Sequence, residues 1–455
     1  MENKDISRRD FIKDLGIGSV ALGAVAAGCA PKSSKKASAE KTGEMEYRTN
    51  PKNGDKVSLL GYGCMRWQMK KDENGRDIVD QDSVNELVDY AISHGVNYFD
   101  SAPVYLQGQS EAATGKALSR HPRDSYFIAT KLSNTRSFMP TFEESVQMYR
   151  QSFENFNTDH IDYYLLHNIA GEDVFNRRFV QNGVIDFLLA EREAGHIRNL
   201  GFSFHGQQRG IDSLLALHDK YHWDFIQIQM NYLDWTHADP GRNVNAEYLY
   251  QELDKREIPI VIMEPLLGGR LVRLPDNVAN LLKERDPDAS LASWAFRFVG
   301  SHPRVLCALS GMTYMDNLID NVNTFTGFNY MDQDELDFME QMAVLMSDYP
   351  LIECNNCQYC MPCEYGIDIP GILLHYNAII TEGALPQSSD QKDFRKLRRH
   401  YLTTYSKAVE TLRQADHCTG CRKCEEHCPQ SIKIADEIIR IDEYIEKLKQ
   451  TTLYR

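Results

Sequence analysis

The stretch Ser83-Val84-Asn85-Glu86-Leu87-Val88-Asp89-Tyr90-Ala91-Ile92-Ser93-His94-Gly95-Val96-Asn97-Tyr98-Phe99-Asp100 carries the unit from which the chain is built. Val84, Leu87, Val88 and Ala91 recur at the three- and four-residue steps of one apolar helix face. Gly95 stands where a helix C-terminus wants positive φ. Tyr98–Asp100 follows as a short β-rich run ending in a carboxylate. The alternation repeats outward in both directions. Strand candidates are Val57–Leu60, Tyr98–Asp100, Tyr126–Lys131, Ile161–His167, Asn199–Phe204, Phe225–Gln229, Ile258–Met263 and Val305–Leu309. Several are apolar throughout, as parallel strands covered by helices are. Asp186–Ala194 and Ser290–Val299 read as further helices, stopped by Gly195 and Gly300. Such repeats predict an α/β fold, a (β/α)8 TIM barrel. A doubly wound open sheet is the alternative. It would usually carry a G-x-G-x-x-G turn after its first strand, and none is present.

Chemistry in such barrels sits at the C-terminal ends of the strands. Those ends offer Asp100 and Tyr105 after the second strand, Lys131 on the third and His167 on the fourth. The segments Phe99-Asp100-Ser101-Ala102-Pro103-Val104-Tyr105, Ala129-Thr130-Lys131 and Asp162-Tyr163-Tyr164-Leu165-Leu166-His167 resemble those of the aldo/keto reductases. The resemblance covers roughly Lys56 to Phe325. It implies Tyr105 as general acid, Asp100 and Lys131 as its tuners, and His167 as the residue that orients a carbonyl. The chemistry is consistent with those roles. Hydride delivery to a carbonyl builds alkoxide charge, so a proton donor must lie within reach. A Tyr with an unperturbed pKa near ~10 donates reluctantly at neutral pH, and a neighbouring ammonium corrects this.

The same resemblance implies a nicotinamide cofactor, NAD(H) or NADP(H), held by Ser203, Gln229 and Leu266 and, on its adenosine side, by Ser310, Gly311, Asn317 and Asn321. The family pattern departs at two points: Phe204 replaces an Asn, and Met263 replaces the Tyr on which the ring stacks. No Lys or Arg lies between Ser310 and Asn321. A 2′-phosphate without a cation is poorly held, which favours NADH slightly.

Eight of the 11 cysteines fall in two runs. Cys354, Cys357, Cys360 and Cys363 stand at three-residue steps. After 54 residues come Cys418, Cys421, Cys424, Cys428 and Pro429. The second run has bacterial ferredoxin spacing, in which three thiolates hold one [4Fe–4S] cube and the fourth reaches the other. On that rule Cys354, Cys357, Cys360 and Cys428 bind one cluster. Cys418, Cys421, Cys424 and Cys363 bind the second. Two tetrathiolate zinc sites are the alternative. A polar helix, Lys392–Arg413, fills the insert, so the region reads as a mainly helical ferredoxin-like domain. Cys64 and Cys307 read as buried small hydrophobes.

Ser7-Arg8-Arg9-Asp10-Phe11-Ile12-Lys13 precedes an apolar run from Leu15 to Ala27, a pattern similar to a twin-arginine export signal. Ala26-Ala27-Gly28-Cys29 is similar to a lipoprotein cleavage box, which implies a lipid at Cys29 and a membrane-surface anchor. Cleavage after Ala37-Ser38-Ala39, giving a soluble periplasmic or cell-envelope form, is the other reading. The expected organisation is signal 1–29, tether 30–45, barrel 46–346 and cluster domain 347–455. A formal net charge of −15 argues against nucleic acid as a partner. Three functions follow. The first is an exported oxidoreductase that interconverts a carbonyl and an alcohol and exchanges single electrons with a partner. The others are an electron-transfer subunit with a docking barrel, and an envelope carbohydrate-modifying enzyme with a tightly held nucleotide.

Overall fold

A computed structural model describes residues 43–134, 140–347, 349–389 and 391–451. The export signal, Cys29 and the tether up to Lys41 lie outside the described residues. The chain forms two compact units. One gathers the described residues of Glu40–Leu267 and Asp288–Asp348. The other joins Gly268–Pro287 to those of Tyr349–Arg455. No described helix is long and apolar enough to cross a membrane.

The first unit is a closed eight-stranded parallel barrel. In chain order its strands are β1 (Leu60–Gly63), β2 (Tyr98–Asp100), β3 (Phe127–Leu132), β4 (Ile161–Ile169), β5 (Ile197–Phe204), β6 (Phe225–Gln229), β7 (Ile260–Met263) and β8 (Val305–Ser310). Each pairs with its sequence neighbours, and β8 closes on β1. The first strand begins later than Val57–Leu60 predicts. Lys56–Ser58 instead pairs antiparallel with Tyr47–Thr49. Val57 shares a buried apolar cluster with Tyr98, Ala129, Tyr163, Leu165, Phe225, Val261, Cys307 and Leu309. Both Cys64 and Cys307 are fully buried. Gly61 makes the interior fit: a Cβ there would lie 2.4 Å from Cys307 Sγ.

Side chains of a strand alternate between its faces, so this interior row fixes what appears at the barrel mouth. Two residues beyond Tyr98 comes Asp100, beyond Ala129 comes Lys131, and beyond Leu165 comes His167. Register brings Asp100 opposite Ala129 and Lys131 opposite Leu165.

The helices follow the apolar pattern. Helix α1 (Gln81–Ser93) buries Val84, Leu87, Val88 and Ala91, and Gly95 follows at φ 87°. Helix α2 is Ser110–Leu118 and α3 is Phe142–Phe156, whose start is a capping box between Thr141 and Glu144. Helix α4 (Val184–Glu193) precedes Gly195, at φ 83°. Helix α5 (Leu291–Gly300) is capped by the Ser290 hydroxyl, which accepts from Ser293 N at 3.0 Å. Gly300 ends that helix for a different reason than a left-handed cap. A Cβ there would meet Phe328 at 2.5 Å.

In the second unit, helices α6 (Ile369–Thr381), α7 (Phe394–Ala408) and α8 (Ile434–Gln450) enclose an apolar core with Ile372, Ile379, Tyr401, Tyr405, Ile438, Ile441 and Ile445. The predicted helix Lys392–Arg413 is shorter, because Val409 leaves helical geometry. Asn377 on α6 clamps the chain just before the first cysteine run: its amide donates to Ile352 O at 2.6 Å and accepts from Ile352 N at 2.8 Å.

His302, just past α5, packs against Trp235 (ring centres 4.5 Å apart), Phe298 and Tyr250, and its Nδ1 bonds Phe298 O at 2.8 Å. Burial pushes its pKa down to about 4. Below the ordinary value of ~6.5 the unfolded chain takes a proton that the folded ring refuses, so stability falls as pH drops from ~6.5 to ~4, by up to about 3 kcal/mol. His302→Phe keeps the packing and removes this term. Its urea midpoint will therefore decline less between those pH values than that of the wild type; parallel declines would contradict the assignment.

Candidate active site and cysteine loops

At the barrel mouth the residues expected for catalysis converge. Lys131 Nζ donates to Asp100 Oδ1 at 2.5 Å and to Ser101 O at 2.8 Å. The other Asp100 oxygen accepts from Gln227 Nε2 at 3.4 Å. Both charges are buried, at 1% and 2% exposure. Burial raises the Asp100 pKa, and Lys131 and Gln227 oppose it. The Lys131 ammonium stands 5.1 Å from the centre of the Tyr105 ring. The Tyr105 and His167 rings meet edge to face, 5.9 Å apart. Tyr105 opens a tight turn, Tyr105–Gly108, in which Leu106 and Gln107 both adopt left-handed backbone. Such conformations cost of order 1 kcal/mol each and persist where surrounding structure fixes them. Here Ser110 fixes them, bonding Ser101 Oγ at 2.8 Å and Cys64 O at 2.7 Å. Asp162 lies at the other end of its strand. Fully buried, it pairs with Arg123 and Arg198, so it braces the barrel and takes no part in this site.

Sequence reasoning missed the support of His167. The Ser133 hydroxyl, buried, sits 2.6 Å from His167 Nδ1. Burial, and then Lys131, His205 and Arg178, hold the His167 pKa well below its ordinary value, so the ring is neutral. A neutral imidazole carries one N–H. With Ser133 donating to Nδ1, that hydrogen belongs to Nε2, which makes His167 a hydrogen-bond donor. This tautomer is assigned from the bonding chemistry. Ser133 could have been found as the next polar residue two steps beyond Lys131.

The nucleotide residues are partly assembled. Ser203 Oγ accepts from Asn168 N at 2.8 Å, leaving its hydroxyl proton to donate. Gln229 donates its amide to Asp234 Oδ2 at 2.7 Å, as Asn231 does. With its nitrogen on Asp234, the Gln229 carbonyl oxygen is the atom suited to accept from a carboxamide. Asp234, five residues on, went unread because it carries no motif. Leu266 and Met263 are half-buried. Gly311 and Asn317 are exposed. Asn321 is buried and donates to Ser310 Oγ at 2.8 Å, so it braces the loop from beneath. Gly311 lies under the Arg66 side chain: a Cβ there would sit 2.9 Å from Arg66 Cδ. The loop therefore has a cation, supplied by the segment after β1. Counting charges within Ser310–Asn321 alone could not reveal it. The Ser203 hydroxyl as donor, the Gln229 carbonyl as acceptor and the Arg66 cation over Gly311 fit a nicotinamide dinucleotide.

In the second unit, Cys354, Cys357, Cys360 and Cys428 line one cavity with Ile369, Pro370, Leu373, Ile432 and Ile434. Burial raises the Cys360 thiol pKa, and Cys357, Cys354 and Cys428 raise it further. Cys424, pushed up by burial to about 12, has Cys421 and Cys363 as its cysteine neighbours. Lys423 pairs with Glu364 at 2.7 Å, tying the loop around Cys424 to the one after Cys363. None of the eight forms a disulfide. Among the described residues no three His, Cys, Asp or Glu side chains converge as a single ion would need. Thiols that surround an apolar cavity suit a cube bonded at its corners. Beside the first loop, Gly268 (φ 62°) approaches so closely that a Cβ would lie 2.3 Å from Asn355 O.

The crossed arrangement predicts iron stoichiometry. Wild-type protein should hold about eight irons. Cys354→Ala with Cys428→Ala should remove about four, because both changes strike one cluster. Cys354→Ala with Cys363→Ala should remove nearly all. Equal losses from the two pairs, measured on anaerobically purified protein, would exclude the crossing.

Residues 59–342 match the aldo/keto reductase family, and residues 350–432 match the 4Fe-4S dicluster domain. A probable aldo-keto reductase from Glycine max is 32% identical over 122 residues, 26% of this chain and only 34% of that protein. An uncharacterized oxidoreductase from Bacillus subtilis is 21% identical over 58% of this chain and 86% of its own length. Among solved structures, the holo form of an aldo-keto reductase from Bacillus halodurans superposes with a TM-score of 0.52 at 21% identity, covering 66% of this chain and 96% of that one. A Klebsiella pneumoniae aldo/keto reductase in complex with NADP and acetate gives 0.51 at 19% identity, covering 66% and 95%. At those identities the structures speak for the fold alone. The profile match, spanning more than half the chain and containing the convergent Asp100, Tyr105, Lys131 and His167, is decisive: the chain belongs to the aldo/keto reductase family, with a 4Fe-4S dicluster domain following the barrel.

Proposed function

We propose that this protein is an exported oxidoreductase that interconverts a carbonyl and an alcohol with a nicotinamide cofactor, and whose iron–sulfur clusters exchange single electrons with a separate carrier. The observation that carries the first part is the buried Lys131–Asp100 pair set against Tyr105, with neutral His167 edge-on to the same ring. The four cysteines around one apolar cavity, none of them in a disulfide, support the second. The arginine pair before the apolar run supports export, with the lipid anchor at Cys29 as part of the same proposal. Ser203 and Gln229 would hold the carboxamide, and the Gly311 loop with Arg66 the phosphate side. Arg66 removes the premise of the argument for NADH, so either nucleotide suits this site.

A nicotinamide held by Ser203 and Gln229 would supply the hydride for the carbonyl carbon. The His167 Nε2–H donates a hydrogen bond to the carbonyl oxygen and orients it. Tyr105 gives its phenolic proton to that oxygen as negative charge grows there. The Lys131 ammonium stabilises the phenolate that remains, and Asp100 with Ser101 O fixes the ammonium in place. In the reverse direction the Tyr105 phenolate accepts the alcohol proton.

Tyr105→Phe keeps the ring and removes the proton. It should lower kcat for a nitrobenzaldehyde by about 10²-fold or more while leaving nucleotide binding and the iron–sulfur absorbance intact. Undiminished turnover would refute the proton-donor role. Ser133→Ala should lower kcat more modestly, about tenfold, because the His167 tautomer is no longer enforced; an unchanged rate would show that Ser133 merely fills space.

A further inference from the structure

We propose that the carbonyl substrate carries a carboxylate, and that Arg178 receives it beside His167 and His205. The proposal rests on the carbonyl–alcohol reading above and adds the substrate class.

Arg178 lies in a π-helical turn, Asn176–Val180, between β4 and α4. Such turns are rare and recur at functional sites. Its backbone is held from below: buried Asn134 donates to Arg178 O at 3.2 Å. Its guanidinium Nη1 donates to Asn168 O at 3.0 Å. Asn168 directly follows His167 and is itself in left-handed backbone. The guanidinium is thereby anchored at the shoulder of the residue that orients the carbonyl, with most of its five donors uncommitted.

Among the described residues no carboxylate pairs with Arg178. Several other arginines of the barrel are paired: half-buried Arg123 with Asp162, Arg192 with Asp224 and Arg304 with Asp254, and buried Arg297 with Glu335. His205, at the end of β5, adds a second unmet need, because its Nδ1 is buried without a hydrogen-bond partner. Burial lowers its pKa to about 4, so it offers a neutral N–H or lone pair and no charge. The charges felt at His167 are those of Lys131, His205 and Arg178, all cationic or potentially so. Asp100 spends its charge on Lys131. Of the two acids close in sequence, Glu172 accepts from Asn176 and Asp173 is exposed.

The Arg178 guanidinium, near His167 as His205 is, suits a planar anionic group. Its fork matches both oxygens of a carboxylate. The ligand class is therefore a carbonyl compound with a carboxylate elsewhere on its skeleton.

The test compares 3- and 4-carboxybenzaldehyde with their methyl esters, using the full-length holoenzyme. At least one acid should exceed its ester about tenfold or more in kcat/KM, mainly through KM. That ratio should collapse in Arg178→Gln and recover in part in Arg178→Lys, with iron content reporting that each variant folds. Equal use of acid and ester by the wild type, or a ratio untouched by Arg178→Gln, overturns the proposal. A second arm measures calorimetric binding of 4-(hydroxymethyl)benzoate and its methyl ester with nucleotide present, and needs no turnover. If neither aldehyde is reduced, the carbonyl-reduction reading fails. Tighter binding of the acid, lost in Arg178→Gln, would then still establish the anion pocket; equal binding would overturn it.

Discussion

Everything at the barrel mouth depends on two opposite charges held out of water, Lys131 and Asp100. Removing an ammonium and a carboxylate from solvent costs several kcal/mol each, and their attraction recovers that only when geometry and hydrogen bonding are good. The structure meets the condition by register. Strand β2 stops at Asp100, and β3 runs on to place Lys131 one interior step beyond Ala129, opposite Leu165. Ser101 O takes a second ammonium hydrogen, and Gln227 satisfies the far carboxylate oxygen from across the barrel. A hydrophobic pair could fill the same volume at lower cost. What a hydrophobic pair cannot do is hold a fixed cation 5.1 Å from the centre of a phenol ring. The expense makes sense as pre-organisation: the field that tunes Tyr105 is present before substrate arrives.

The barrel was legible because its signal is redundant. Runs such as Tyr164–Leu166 and Ile260–Ile262 are apolar on both faces, the mark of strands buried between helices and barrel interior. The helix face of Val84, Leu87, Val88 and Ala91 was equally plain. Legibility failed where one residue type serves two geometries. Val57 is apolar and β-branched in either a barrel strand or a closing hairpin, and only tertiary pairing distinguishes them. Gly300 read as a C-cap, yet its need is space beside Phe328 rather than positive φ. The tetrad was readable from spacing within three short segments. Its surroundings were harder to read: Ser133 follows Lys131 at the two-residue step of the strand, but Asp234, Arg66 and Arg178 lie in short helical turns between the main elements, whose paths no periodicity encodes.

The cysteine region was legible for a different reason. Thiol spacing reflects covalent geometry more than packing, so the pairing of Cys428 with the first run could be read from ligand count and loop reach. The surroundings could not. The clamp of Asn377 on Ile352 joins residues 25 apart, and the Lys423–Glu364 pair links residues 59 apart. Nor did composition reveal that Gly268–Pro287, which leaves the barrel sheet after β7, folds with the cysteine-rich unit. Within that unit Gly268 packs on the backbone next to Cys354.

The global charge gives Arg178 its meaning. The chain has 65 acidic residues against 50 basic ones, so an arginine without a carboxylate is not explained by a shortage of acids. Acids are placed against Arg123, Arg192, Arg297 and Arg304, each at a cost in side-chain entropy that only a well-formed pair offsets. Leaving Arg178 half-buried with one carbonyl contact forgoes such a pair, and burial without it lowers the guanidinium pKa to about 10. Placed next to His167 and without a carboxylate among the described residues, Arg178 keeps donors for a ligand. A carboxylate arriving with the substrate completes the pair that the protein itself withholds.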